Sequence, residues 1–331
     1  AMTTRTEWLK LGQAAKRLGI STSALKKRRG RHQINARPFG EGGQFLYEVP
    51  AETSDITADE WEVLRELVTD KSSAHVESEP TGATYRILSL FDVHVPEADA
   101  FAFKAILDFA HDEQPEHIVL GGDFLELESC SMHGGNANPL ALVDEIKAGR
   151  KALSRIREAC PNAALTYLEG NHETRLNRVV AAALPSFDGA LTLPNLLELD
   201  AIGCEWVPYR KLWTPKINGK PGKLSYTHGE FASLHHAKKH LDVYGVSVRY
   251  GHTHRPQTTT RGFADGRVLM SIGSPCVRTL APSWAGPHNG WLHGFGWDEF
   301  FADGRFTASN VIMSDRCFAW RGKVYGQKSA G

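Results

Sequence analysis

"YRILSLFDVH", residues 85–94, carries a short apolar run into a polar end at Asp92 and His94. A run of that length, stopped by charged residues, reads as a buried strand of a covered sheet. The same pattern returns in "HIVLGGDF" (117–124) and in "ALTYLEGNHE" (164–173). Between these lie amphipathic helical stretches, "AFKAILDFAHDE" (102–113) and "LVDEIKAGRKALSRIREAC" (142–160). Strand, helix, strand, helix, strand implies a largely parallel sheet with helices over it. After residue 205 strands dominate: "KLSYTHGE", "VSVRYGHTH", "RVLMSIGSP", "GFGWDEFF", "FTASNVIM" and "CFAWRGKVY". The expected fold class is therefore α/β, with two stacked mixed β-sheets flanked by helices.

Upstream of residue 84 the character changes. Residues 1–40 hold ten Lys and Arg residues against Glu7 alone, whereas residues 41–83 hold eleven acidic residues against Arg65 and Lys71. The zero net charge of the chain conceals this asymmetry. It points to an anionic partner for the front end, or to folding against its own acidic neighbour. "LGQAAKRLGISTSALKKRRGR" reads as two short helices joined through a glycine turn, with Ser21 capping the second. "ARPFGEGGQFLYEVP" follows as a hairpin with Phe45 and Tyr47 alternating beyond the glycines. This front segment resembles the winged helix-turn-helix domains of phage Mu-type transposases and repressors. The resemblance implies DNA contact through Lys26, Lys27, Arg28, Arg29 and Arg31; a protein-docking role is the alternative. "TADEWEVLRELVTD" (57–70) reads as a helix opened by the capping box Thr57–Glu60, and residues 71–83 as a polar linker. The expected domains are 1–50, a capped helix and linker at 51–83, and 84–331.

No run approaches the ~18 apolar residues of a membrane span, and the front end lacks a signal-peptide layout. The five cysteines are scattered without C-x-x-C spacing, so reduced thiols and a cytoplasmic setting are expected.

The chemistry gathers at the carboxyl ends of the apolar strands, where open α/β sheets place ligands. In order these ends supply Asp92 and His94, Asp123, Asn171 with His172 and Glu173, His228, then His252 and His254. Singly, each has an ordinary reading: a turn cap, a left-handed asparagine, a satisfied core histidine. Together they form an N/O donor set suited to two adjoining borderline divalent metals, with an aspartate able to bridge. No thiolate belongs to the set, which disfavours a structural zinc site.

In this order the five blocks, D-x-H, G-D, G-N-H-[DE], H and G-H-x-H, resemble those of the calcineurin-like metallophosphoesterase superfamily. The likeness spans about residues 86–260. It implies that Asp92, His94 and His254 hold one metal, that Asn171, His228 and His252 hold the other, and that Asp123 bridges them. His172 is then a catalytic group above the substrate, with Glu126 as the carboxylate fixing its tautomer. The implied metals are manganese first, with iron, zinc or nickel as alternatives. Two such ions clamp an in-line displacement at phosphorus and activate a shared water.

Departures from the family bear on substrate. Protein Ser/Thr phosphatases of this kind have D-R-G where this chain has Glu126-Leu127-Glu128, which argues against a protein phosphatase. Arg175, Arg255 and His133 are the nearest replacements for the missing phosphate clamp. In "SLHHAKKHLDVYG", His236 and His240 read as part of a solvated helix face. The expected activity is hydrolysis of phosphate esters, foremost as a DNA phosphodiesterase in a phage-like setting. A phosphomonoesterase or nucleotide phosphodiesterase, and a non-catalytic DNA-binding or assembly protein, are the alternatives. DNA is the expected partner, and self-association is left open.

Overall fold

The computed structural model describes residues 6–17, 21–30, 36–38, 44–50, 85–131, 140–282 and 289–326. The chain divides into two compact units, Ala1–Glu79 and Pro80–Gly331. The helix expected at 57–70 and the linker after it lie outside the described residues.

In the first unit, β1 (Thr6–Lys10) leads into α1 (Leu11–Arg17) and α2 (Thr22–Gly30), followed by β2 (Ala36–Pro38) and β3 (Phe45–Pro50). The strands form an antiparallel sheet in the order β1-β3-β2. Ser21 caps α2 as expected, its Oγ accepting from the Ala24 N–H at 3.2 Å. Ala14, Ala15, Leu25 and Tyr47 close the small core. Lys26 and Lys27 are exposed on α2. Arg28 and Arg29 also lie within that helix. Arg31 falls outside the described residues.

The second unit is built on a six-stranded sheet in the order β15-β14-β4-β5-β6-β7. Here β4 is Tyr85–Leu90, β5 His117–Leu120, β6 Ala164–Leu168, β7 Cys204–Val207, β14 Gly294–Phe300 and β15 Phe306–Ile312. β4 to β7 are parallel, and β14 and β15 add an antiparallel edge. A second sheet has the order β10-β11-β13-β12, formed by Ser225–Tyr226, Val248–Tyr250, Val268–Gly273 and Gln257–Gly262 respectively. Two short strands, β8 (Lys216–Ile217) and β9 (Lys220–Pro221), make a hairpin, and β16 (Cys317–Trp320) pairs with β17 (Lys323–Gly326).

Side-chain alternation along β4 separates the two cores. Leu88 and Leu90 join the helix-covered core, whereas Ile87 and Phe91 join a second cluster with Tyr226 and Ile272 of the other sheet. The helix-covered core packs α3 (Ala100–Glu113) and α4 (Leu142–Ala159). Asp99 caps α3, its Oδ1 accepting from the N–H groups of Phe101 and Ala102. The α/β fold of two stacked mixed sheets flanked by helices is thus as expected.

One reading is corrected. In α7 (His236–Tyr244), preceded by α5 (Thr174–Ala183) and α6 (Leu193–Leu197), His236 and His240 are buried rather than solvated. Lys238, Lys239, Asp242 and Val243 are the exposed residues of that helix. The reason is Tyr250: its hydroxyl lies 2.6 Å from His236 Nδ1, and its ring stacks on His240 at 3.6 Å. Burial lowers both imidazoles to about 4, so they pack as neutral rings.

Candidate metal centre

Every strand that ends in a polar block ends on the same side of the sandwich, and the chain turns sharply there. Asp92, His94, Asp123, His252 and His254 all have φ between 47° and 66°, in the left-handed region that costs a non-glycine residue about 1 kcal/mol or more. Gly122 (φ 89°) shows why glycine stands beside them: a Cβ there would come within 2.6 Å of His228 Nδ1.

These turns bring the seven expected ligand residues together. In one group His254 Nε2 lies 3.3 Å from Asp92 Oδ1 and 3.2 Å from His94 Nε2. In the adjoining group His228 Nε2 lies 3.3 Å from Asp123 Oδ2 and 3.0 Å from Asn171 Oδ1, which is 2.8 Å from His252 Nδ1. Three overlapping sets of metal-ligating atoms result: Asp92–His94–His254, His94–Asp123–His172 and Asp123–His228–His252. Asp123 and His94 link them.

The hydrogen-bond pattern tests whether a cation fits. His228 Nδ1 faces the Gly121 carbonyl at 3.0 Å and must donate to it. The remaining nitrogen of a neutral His228 therefore presents a lone pair to the Asn171 carbonyl oxygen and to the Asp123 carboxylate. His94 repeats the arrangement, with Nδ1 2.8 Å from Glu126 Oε2 and Nε2 turned inward to His254. His254 Nδ1 is buried with no hydrogen-bond partner. Acceptors converging on acceptors in a buried site call for a positive charge between them. The donor set fits divalent metal.

The titration behaviour says the same. Burial alone would lower His228, yet the charges of Asp123, Asp92 and Glu173 carry it up to about 10, as if a proton stood where a cation belongs. Burial would raise Asp123, but the imidazoles of His172, His228 and His94 hold it well below the usual carboxylate range. His94 is pushed well below the ordinary imidazole value, by burial first and then by His172 and Arg278.

Around the seven, two expected roles shift. The Glu126 carboxylate was expected to hold His172; it sits 2.8 Å from His94 Nδ1 and 3.5 Å from His172 Nδ1. What holds the His172 ring is the Glu126 backbone carbonyl, 2.8 Å from Nδ1. Arg175 donates to that same carbonyl at 2.8 Å, and its Nη2 lies 3.1 Å from His172 Nε2. Arg255 instead donates to the Ala232 carbonyl at 3.0 Å, and His133 lies outside the described residues.

Two supporting residues had no assigned part. Glu173, fully buried, accepts from the N–H groups of Asp123, Phe124, Leu125 and Gly170 and from the Tyr167 hydroxyl. It thereby ties the Asp123 turn to the Asn171 turn. Its signal was present as the last letter of "GNHE". Arg278, also buried, reaches Glu126 Oε2 at 3.4 Å and pairs with Glu97, while its backbone N–H donates to the Asp92 carbonyl. No motif marks it.

No family model matches the chain. It is similar to the Gene 54 protein of Mycobacterium phage L5, with 28% identity over 231 residues, covering 63% of this chain and 87% of that protein. The Gene 54 protein of Mycobacterium phage D29 is 29% identical over 232 residues, covering 64% and 87%. Among solved structures, a phosphoesterase of E. coli, Yfce, aligns with a TM-score of 0.33 and 16% identity, over 64% of this chain and 87% of that one. A single mutant of Vps29 from Entamoeba histolytica aligns at 0.32 and 14%, over 69% and 99%. Among the described residues, no helix is long and apolar enough to cross a membrane.

Proposed function

We propose that this chain is a metal-dependent phosphoesterase that cleaves DNA as a phosphodiesterase, with its first unit serving as a winged helix-turn-helix DNA reader. The observation that carries the catalytic half is the convergence of Asp92, His94, Asp123, Asn171, His228, His252 and His254, with the Nε2 lone pair of a neutral His228 facing the Asn171 and Asp123 oxygens. Asp92, His94 and His254 would hold one ion and Asn171, His228 and His252 the other, with Asp123 shared. Two divalent cations bound there, manganese first among them, supply charge neutralisation at phosphorus and a lowered pKa for the attacking water.

The chain's own residues do the rest. The water oxygen bonds to phosphorus as the ester P–O bond opposite it breaks, and the departing oxygen takes up a proton. His172, held through Nδ1, brings Nε2 within 3.8 Å of Asp123 Oδ2 and 3.1 Å of Arg175 Nη2. Arg175 would orient a phosphoryl oxygen, and a protonated His172 would pass its proton to the departing oxygen. Glu126 and Arg278 fix the lone pair of His94 inward, and Glu173 fixes the Asp123 turn.

The DNA half is supported by the exposed Lys26 and Lys27 on a capped second helix beside an antiparallel sheet. Tethering such a reader to a hydrolase raises the local substrate concentration.

Assays on bis-p-nitrophenyl phosphate, p-nitrophenyl phosphate, and single- and double-stranded DNA, each with manganese, test the reading. Cleavage of DNA and the diester is expected. Hydrolysis of small esters with DNA untouched overturns the nuclease reading, and no turnover with any metal overturns the enzyme. Removing residues 1–83 is expected to leave small-ester hydrolysis intact while removing salt-sensitive DNA binding.

A further inference from the structure

The Glu126 carbonyl holds two groups at once, accepting from His172 Nδ1 and from Arg175 Nη1, both at 2.8 Å. The direction of that carbonyl therefore bears on where the His172 ring and the Arg175 guanidinium point. Upstream, the Glu126 N–H is fixed on the Val95 carbonyl at 2.9 Å. Downstream, the chain makes a turn that a residue with a side chain resists: Leu127 has φ 48°, in the left-handed region. Leu127 is wholly buried, and the short turn Glu128–Cys130 follows it directly.

What closes this turn is Glu145, from the start of α4. Glu145 is 1% exposed, and both of its carboxylate oxygens are engaged. Oε1 accepts from the Glu128 N–H at 3.2 Å, and Oε2 accepts from the Ser129 hydroxyl at 2.8 Å. The helix sits close against this part of the chain. At Gly149, one turn further along, a Cβ would come within 2.7 Å of Leu125 Cδ2. A carboxylate taken out of water is costly unless donors meet it. Here the donors are two neutral groups of a strained turn, and neither belongs to a metal-ligand residue.

We infer that Glu145 is a positioning residue: by clamping the turn after Glu126 it sets the Glu126 carbonyl, and through that carbonyl it orients His172 and Arg175 for the phosphoryl group. This rests on the phosphoesterase reading above and adds to it a residue that acts only through others. The Glu126 carbonyl can only accept, so His172 Nδ1 carries a proton. A neutral ring then presents Nε2 as a lone pair to Arg175 Nη2, 3.1 Å away. Loosening the turn frees both the tautomer and the direction of the ring.

The test uses the full chain with Glu145→Ala and Glu145→Gln. Glutamine can keep both contacts, its oxygen accepting from the Glu128 N–H and its amide donating to the Ser129 oxygen, so it should stay near wild type. The first readout is nitrogen NMR of the imidazoles in metal-free protein, with the His172 signal assigned by its loss in His172→Gln. Wild type and Glu145→Gln are expected to hold the Nδ1–H tautomer, and Glu145→Ala to show a mixture. The second readout compares the p-nitrophenyl and phenyl esters of thymidine 5′-phosphate, with manganese. p-Nitrophenolate departs without a proton, whereas the poorer phenolate gains from one supplied by His172. Glu145→Ala is expected to lose about 10-fold more in kcat/KM on the phenyl ester than on the p-nitrophenyl ester. A clamp that only holds the fold together would lower both esters alike.

A His172 tautomer in Glu145→Ala identical to wild type overturns the positioning role, and so does an equal loss on both esters. If wild type hydrolyses neither ester, the phosphoesterase reading fails instead, and the NMR comparison still decides whether Glu145 holds His172. Should Glu145→Ala not fold, Ser129→Ala removes one of the two contacts. It is expected to shift the tautomer and the ester ratio in the same direction, and no shift in either overturns the role.

Discussion

Two buried polar clusters in the second unit are opposite in kind. Between the sheets, Arg249 of β11 meets Asp298 of β14, both fully buried. All five guanidinium donors are used: on both Asp298 oxygens, on Asn310 Oδ1, on Ser274 Oγ and on the Ser309 carbonyl. The Tyr226 hydroxyl donates to Asp298 Oδ2 at 2.8 Å. In the metal centre, by contrast, imidazole nitrogens face one another at 3.2 Å, and an imidazole nitrogen faces an amide oxygen at 3.0 Å. One cluster is complete within the chain. The other is complete only with added positive charge. Burial and polarity alone do not mark a functional site; unanswered acceptors in strained backbone do.

The largest expected effect breaks the complete cluster. Arg249→Ala leaves Asp298 buried and unpaired, and should cost about 3–5 kcal/mol of stability, read by urea unfolding in EDTA. The double variant Arg249→Met with Asp298→Leu should recover most of that loss. A loss as large in the double variant would mean that packing, not the pair, holds the sheets together.

Next comes a contrast of two buried histidines. His117 is satisfied within the chain, by the Tyr85 hydroxyl at 3.0 Å and Thr166 Oγ1 at 2.8 Å, and burial lowers it to about 4. His228 is carried up to about 10 by its carboxylate neighbours. A histidine lowered in the folded state contributes stability that is fully present above its unfolded value and is lost as pH falls through the folded one. Metal-free protein should therefore lose roughly 3 kcal/mol through His117 between about pH 6.5 and pH 4. His117→Gln should flatten that part of the profile, measured as urea midpoints against pH.

A slightly smaller effect is expected on catalysis when the incomplete cluster is broken. Asp123→Asn should lower turnover more than about 100-fold, beyond the range of outer-shell changes. It should also lower the metal-free melting temperature, because the imidazoles of His172, His228 and His94 hold the Asp123 carboxylate well below its usual range and its charge therefore favours the fold. Turnover kept within about 10-fold of wild type at saturating metal would show that the cluster is structural.

This contrast also explains what could be read from the residues in order. The ligand set was legible because its members cluster at the ends of apolar strands and Asp123, Asn171, His228 and His252 stand beside a glycine, both local features. The stacked sheets were legible from the change from alternating strands and helices to strands alone. Arg249 looked like any strand residue, since its partner Asp298 is 49 positions away. His236 and His240 looked solvated because helical spacing cannot reveal that Tyr250 covers them. Glu173 stood inside a recognised block, but its four amide donors come from two separate turns and exist only in the folded chain.

Glu126 gives the finest test, because it joins the two kinds of environment. Its carboxylate is satisfied by His94 at 2.8 Å and Arg278 at 3.4 Å, and through His94 it sets the direction of a lone pair in the incomplete cluster. Glu126→Gln keeps the side-chain shape and its carbonyl oxygen but removes the charge. If the carboxylate orients and strengthens His94 as a ligand, manganese affinity should fall about 10-fold, at the low end for outer-shell changes. The His172 ring should stay in place, since the backbone carbonyl of residue 126 holds it and survives the substitution. Manganese titration by calorimetry, with kcat measured at saturating metal, separates the two. Weaker metal binding with kcat nearly restored at saturation assigns the carboxylate to His94, whereas normal affinity with lowered kcat would return it to His172.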